Sequence, residues 1–231
     1  MRRSLKNRPK ICVPILEPTR HSAFRAMGEA RLKADLIELR LDYMGKPELK
    51  PLLEAGGKKP IIVTNRRSEE GGRFHGREEV RLGSLRQAID LEAAYVDLEL
   101  GSGRAPIRGF MADLKNTALI LSHHNFKETP PAQVLRSLFR AMERFGPEVV
   151  KIVTMARSFE DNLKTLALIP FAGERGQDIV AFCMGEKGKM SRIFAPLLGA
   201  AWTYAALRPG RPSAPGQLAV SEMRQIWKSM K

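Results

Sequence analysis

A lysine in the middle of a short β-branched run is chemically awkward, and Lys151 stands in such a run, Pro147-Glu148-Val149-Val150-Lys151-Ile152-Val153-Thr154. The stretch follows Gly146 and reads as a buried strand rather than a helix. Desolvating an ammonium is expensive, so a lysine there needs a partner, a route to solvent, or a depressed pKa. The last outcome leaves a neutral amine, which is a nucleophile towards carbonyl carbon. His124 closes the preceding apolar run, in Ser122-His123-His124-Asn125-Phe126. If the two strands pair, amine and imidazole come within about 5 Å, an arrangement suited to imine chemistry with a general acid–base alongside. His123 is offset by one residue and is expected to face the other way.

Other strand-like runs end in ionisable groups too. In Leu36-Ile37-Glu38-Leu39-Arg40-Leu41-Asp42 the alternation puts Ile37, Leu39 and Leu41 on one face and Glu38, Arg40 and Asp42 on the other. A mutually satisfied Glu38–Arg40 pair would explain these charges without any ligand. The same pattern recurs, however, with Arg66 and Glu70 after residues 60–64, Asp97 and Glu99 within 95–100, and Met184-Gly185 after 178–184. Charges repeated at strand ends are the mark of a site. Gly185 and Gly188 with Lys187 and Lys189 resemble a weak phosphate loop and are read as a lid. No grouping of His, Asp or Glu on one element has metal-ligand spacing, so no metal is expected.

The elements that must carry these groups alternate along the chain. Strands are expected at 11–16, 36–42, 60–64, 95–100, 118–122, 147–154, 178–184 and 200–207. Helices are expected to run to about residue 33 with Thr19 as cap, and over about 77–90, 158–171, 191–198 and 218–230. A further helix is expected from Thr129 as cap and Pro130 in its first turn, with an apolar stripe of Val134, Leu135, Leu138, Met142 and Phe145. About eight strand–helix units without a break in composition predict a (β/α)₈ TIM barrel, with sites at the strand C-termini. An open doubly wound sheet is the alternative, but no glycine-rich GxGxxG turn follows the first strand.

The chain has 231 residues, 43% of them apolar, enough for one domain over 1–231 with a short basic arm at 1–10. Cys12 and Cys183 lie in apolar runs, which suits a reducing compartment. No apolar run approaches eighteen residues, so a soluble, cytoplasmic protein without membrane contact is expected. A net charge of +14 permits either a nucleic-acid surface or attraction of anionic small molecules. The charges are spread rather than clustered, and binding of nucleic acid is the weaker expectation.

The residues resemble those of type I 3-dehydroquinate dehydratase over nearly the whole length. The matching motifs are Glu38-Leu39-Arg40-Leu41-Asp42, Thr64-Asn65-Arg66 with Glu70-Gly71-Gly72, Val96-Asp97-Leu98-Glu99, and Ser122-His123-His124-Asn125-Phe126 with Thr129-Pro130. Val150-Lys151-Ile152, Met184-Gly185 with Gly188 and Ser191-Arg192, and Ser213-Ala214-Pro215-Gly216-Gln217 complete them. The resemblance implies a cofactor-free lyase that dehydrates 3-dehydroquinate through a Schiff base on Lys151, with His124 moving protons and Glu70 orienting it. It implies that Arg192 holds the substrate carboxylate with Ser213 and Gln217 closing over it. Glu38, Arg40 and Arg66 would grip the ring hydroxyls and Met184 would pack on the ring. Family members often carry Asp in place of Asn125 and Met in place of Phe182. The resemblance also implies a stand-alone form and a homodimer. Another Schiff-base aldolase-type barrel is the alternative enzyme, and a basic nucleic-acid-binding module the alternative outside enzymes.

Overall fold

Along several strands the inward-facing residue changes from apolar to polar as the chain advances: Leu36 to Glu38 to Arg40, Ile62 to Thr64, Ile120 to Ser122 to His124, Val149 to Lys151. That gradient fits one architecture, a barrel plugged by hydrocarbon at one end and open to chemistry at the other. The computed structural model of the chain, which describes residues 8–45, 47–210 and 213–230, has this form. The part of the expected basic arm over 1–7 lies outside the described residues. Arg8 pairs with Asp35 at 2.5 Å.

The order is β1 (Ile11–Ile15), α1 (Arg20–Lys33), β2 (Leu36–Arg40), α2 (Leu49–Ala55), β3 (Ile61–Thr64), α3 (Glu78–Asp90), β4 (Tyr95–Glu99) and α4 (Arg104–Asp113). It continues with β5 (Ala118–His124), α5 (Ala132–Glu143), β6 (Val149–Met155), α6 (Glu160–Leu166), α7 (Leu168–Glu174), β7 (Asp178–Met184), α8 (Lys189–Phe194), β8 (Thr203–Tyr204) and α9 (Val220–Ser229). From β1 to β7 each strand pairs in parallel with the next in sequence, and β8 pairs with β1. The ladder ends at β7 and β8, where Ala201 N–H donates to the Ile179 carbonyl at 2.8 Å and draws the seam together. The outward faces of the strands pack on the helices in one apolar layer that includes Ile37, Leu39, Leu121 and Ile152. A second, smaller cluster, with Cys12, Leu36, Ile62, Ile120, Val180 and Trp202, fills the barrel.

Several local expectations need correction. The eighth strand is two residues long rather than 200–207, because its C-terminal side pairs only through the isolated bridge from Ala206 to Ala219. The helix read over 158–171 is two, α6 and α7, meeting at Ala167 with the second carried on to Glu174. Residues 191–198 split into the end of α8 and a 3₁₀ turn over Ala195–Leu198. Thr19 does cap α1, its Oγ1 accepting from Ser22 N–H. Thr129 caps nothing: its hydroxyl turns inward to Thr154 and the Met155 carbonyl, both at 2.9 Å, and α5 begins after Pro131. On α5 the buried stripe is Leu135, Phe139 and Met142, while Val134 faces solvent. Residues 185–189 are a turn tied down on both sides rather than a lid. The Lys187 ammonium donates to the Arg157 carbonyl, and the Lys187 carbonyl accepts from Asn162.

Candidate active site

The polar ends of the strands converge on a cavity of about 250 Å³, lined among others by Glu38, Arg40, Arg66, Glu70, His124, Lys151, Met184, Arg192, Ser213 and Gln217. All ten residues singled out in the sequence therefore meet in one place. A space of this size suits a small molecule.

Lys151 is buried on the inner face of β6. Its Nζ donates to Asp97 Oδ2 at 2.8 Å and to the Tyr204 hydroxyl at 3.2 Å, and lies 3.6 Å from Glu38 Oε1. Glu38 in turn accepts the Thr64 hydroxyl at 2.9 Å. Asp97 is the hub, because Arg66 Nη2 also reaches it at 2.8 Å and Ser122 Oγ donates to it at 2.6 Å. Burial works to raise the Asp97 carboxyl, but Arg66, Lys151 and His124 outweigh it and hold it well below the usual carboxylate range. Glu99 joins Arg66, at 3.0 Å, to Arg81, at 2.6 Å. Lys151, Asp97, Arg66, Glu99 and Arg81 thus form a buried relay of alternating charge. Breaking such a chain strands an uncompensated ion.

His124 does not pair directly with Lys151. The register sets Lys151 opposite Ser122 and His124 opposite Val153, so the imidazole sits two residues nearer the cavity mouth. Its Nδ1 is 2.9 Å from Glu70 Oε2, and the same oxygen accepts the His124 backbone N–H at 3.0 Å. Glu70 arrives from the 3₁₀ turn Ser68–Glu70 after β3. Gly71 follows with φ of +76°, and the Phe126 ring covers it so closely that a Cβ would lie 2.2 Å from Phe126 Cζ. Burial raises the Glu70 carboxyl to about 7 against the opposing pull of Arg66. Burial, with Arg66 and Lys151 adding to it, holds His124 well below its ordinary value. A neutral imidazole with Nδ1–H turned to Glu70 leaves Nε2 as a base. His123 lies outside the cavity lining, as its offset predicts.

Glu38 and Arg40 are not the mutual pair considered above, since Arg40 forms a fork on Asp42 at 2.8 and 2.7 Å. Asp42 further accepts the backbone N–H groups of Arg66 and Arg73. Arg66 spends its Nη groups on Asp97, Glu99 and Ser122. Arg192 is different. It is buried, its Nε has no hydrogen-bond partner among the described residues, and among them its side chain makes one long hydrogen bond, Nη2 to the Pro215 carbonyl at 3.5 Å. Burial lowers this guanidinium to about 10. Gln217 Nε2 is likewise buried and unsatisfied, while its Oε1 accepts from Ser213 N–H and Oγ at 2.6 and 2.9 Å. A cation and an amide donor left waiting in one cavity are set up for an anion. Gly216, with φ of +73°, lets this loop meet β7, because a Cβ there would lie 2.0 Å from the Gly185 carbonyl oxygen.

Asn125, one of the two departures from the family pattern, faces its own turn. Its Oδ1 accepts from the N–H groups of Lys127 and Glu128, as an aspartate would. Asp97, which binds Lys151, and the lining residues Tyr204 and Phe126 were assigned no role from the sequence. Asp97 was legible as an inward strand-end charge, whereas Tyr204 and Phe126 gave no signal beyond their neighbours. Among the described residues no cluster of three or more His, Cys, Asp or Glu side chains is placed to hold a metal ion, and no helix is long and apolar enough to cross a membrane.

The comparisons with known proteins agree with this geometry. The family model described as Type I 3-dehydroquinase matches residues 11–231. A 3-dehydroquinate dehydratase of Desulfotalea psychrophila is 38% identical over 224 residues, covering 94% of this chain and 96% of that protein. One from Thermococcus onnurineus is 43% identical over 197 residues, covering 84% and 86%. Among solved structures, the 3-dehydroquinate dehydratase of Geobacillus kaustophilus superposes with a TM-score of 0.88 at 27% identity, covering 97% of this chain and 91% of that one. The type I enzyme of Clostridium difficile, solved with covalent modified comenic acid, gives 0.87 at 25% identity, covering 97% and 93%. With the matched residues spanning the barrel from β1 to α9, the chain belongs to the type I 3-dehydroquinase family.

Proposed function

We propose that this chain dehydrates 3-dehydroquinate to 3-dehydroshikimate, a hydro-lyase step towards chorismate and the aromatic amino acids, through an imine on Lys151. The observation that carries the reading is the pairing of a buried amine, Lys151, with a buried guanidinium, Arg192, whose Nε has no hydrogen-bond partner among the described residues, across one small cavity. The guanidinium takes the substrate carboxylate as a fork, with Ser213 and Gln217 adding donors, and so presents the ketone to Lys151. The amine adds to the carbonyl carbon and the carbinolamine loses water, which leaves an iminium as electron sink. His124 Nε2 takes the proton from the adjacent carbon while Nδ1–H stays on Glu70. The same imidazole then returns that proton to the departing hydroxyl, which leaves as water. A second water hydrolyses the product iminium and restores the amine, so the net change is loss of one water. Glu38, Arg40 and Arg66 face the ring hydroxyls and Met184 packs on the ring.

In this reading residues 1–231 form one cytoplasmic barrel domain with a basic arm at 1–10. It acts without cofactor, nucleic acid or membrane, as a homodimer that light scattering would detect. The direct test of function is formation of the conjugated enone from 3-dehydroquinate, followed by its ultraviolet absorbance. Appearance of the enone at an enzymatic rate with the purified chain is the expected result. No enone above the uncatalysed rate would overturn the proposal.

A further inference from the structure

We infer that Phe182 and Tyr204 form a continuous aromatic floor that positions the two functional cations, Arg192 and Lys151, at a fixed separation. The Arg192 Cζ lies 4.4 Å from the Phe182 ring centroid, and Lys151 Nζ lies 4.5 Å from that of Tyr204. The two rings are themselves in contact, centroids 6.0 Å apart and planes at 54°. Both are buried. The pair also spans the seam between β7 and β8, which share no ladder. Without it, the strand bearing the substrate-side turn and the strand closing the barrel would be joined near the site chiefly by loop contacts such as Gly185 N–H to the Pro215 carbonyl.

The choice of an aromatic face over a carboxylate has a physical reason at each cation. A carboxylate beside Arg192 would neutralise it and compete with an anionic ligand. A ring face attracts the guanidinium and holds its plane while leaving every N–H donor free for the cavity. At Lys151 what matters is which contact survives the reaction. An ammonium carries three N–H donors and uses two on Asp97 and Tyr204, with Glu38 an ion-pair partner at 3.6 Å, whereas a protonated imine retains one. At least one of those hydrogen bonds is therefore given up when the imine forms, but the positive charge stays at nitrogen. The Tyr204 ring, whose hydroxyl edge lies nearest Nζ, is the contact that both forms share. Phe182 and Tyr204 are thus positioning residues, one for carboxylate capture and one for the covalent intermediate.

This inference rests on the proposed dehydration, and its test separates the two. With 3-dehydroquinate as substrate, Phe182→Leu should raise KM about tenfold and leave kcat within about twofold. Tyr204→Leu should instead lower kcat and the rate of borohydride trapping about tenfold with KM little changed, while Tyr204→Phe, which keeps the face, stays within about threefold of wild type. To guard against a leucine variant that fails to fold, Phe182 is also replaced by mono-, di- and trifluorophenylalanine. These keep the ring's shape and weaken its negative face step by step, so KM should climb along the series. An active wild type whose KM ignores the fluorine series, or leucine variants that change both constants alike, would overturn the floor. So would a Tyr204→Phe variant as impaired as Tyr204→Leu, since the hydroxyl would then be the working group. A wild type without dehydratase activity would overturn the proposed function and this inference with it.

Discussion

Replacing Glu70 with glutamine should make the protein more stable and less active at the same time. In the folded chain the Glu70 carboxyl is raised from 4.5 to about 7, chiefly by burial. A group raised in the fold binds its proton more tightly there than in the unfolded chain. Its penalty is therefore absent below about pH 4.5 and grows as the pH rises through about 7. A displacement of that size amounts to about 3 kcal/mol when the carboxylate is fully ionised. Glutamine keeps an acceptor oxygen for the His124 backbone N–H and Nδ1–H but carries no charge to desolvate. Allowing for imperfect amide geometry, Glu70→Gln should gain about 1–3 kcal/mol at pH 8 and almost nothing at pH 4. In a chain of this size that is a rise in Tm of roughly 3–10 °C at pH 8. Activity should move the other way. Losing a charge-assisted hydrogen bond to the imidazole costs about 1.5–3 kcal/mol of support for the imidazolium, or roughly ten- to a hundredfold in kcat. The acid limb of the wild-type rate profile, set near 7 by the Glu70–His124 pair, should also vanish in the variant. Differential scanning fluorimetry across pH together with pH–rate profiles measures both. An acid limb near 7 that survives in Glu70→Gln, or a Tm that falls at pH 8, would refute the reasoning.

The other perturbations separate binding, proton transfer and the charge relay. His124→Ala should lower dehydration at least about a hundredfold while still allowing borohydride to trap a covalent adduct, and turnover near wild type would place the base elsewhere. Arg192→Lys keeps the charge but loses the planar fork, so kcat/KM should fall about tenfold or more, and an unchanged value would remove the carboxylate role from this residue. Asp97→Asn leaves Lys151 and Arg66 short of their shared counter-ion, which should cost about 3–5 kcal/mol in a chemical denaturation series. Stability unchanged by that substitution would deny the relay any structural weight.

How much of this was legible depended on the range of the interactions involved. Strand alternation is local, so Glu38 and Arg40 could be placed on the inner face from sequence alone, and the run of eight units gave the barrel; the unbroken apolar run around Lys151 marks burial but not a face. Register is not local. Nothing in 118–124 or 147–154 says that Lys151 lies opposite Ser122 rather than His124, because that offset is set by the stagger of the closed barrel. Cap assignments failed where tertiary partners competed. Thr129 has the right type and place for a helix cap, yet Thr154 and the Met155 carbonyl claim its hydroxyl. α2 and α4 left no clear trace, being short and interrupted by Pro51 and Gly109. Tyr204 was invisible for a related reason, since its strand is two residues long and its importance comes from Lys151, far away in sequence.

In the proposed reaction Lys151 carries the covalent intermediate. Borohydride added to the protein with 3-dehydroquinate should convert the imine to a stable amine, and mass spectrometry of the digested protein should find the adduct on the peptide containing Lys151. Lys151→Ala should abolish both the adduct and the activity. An adduct on another lysine, or dehydration at wild-type rate by Lys151→Ala, would contradict the account.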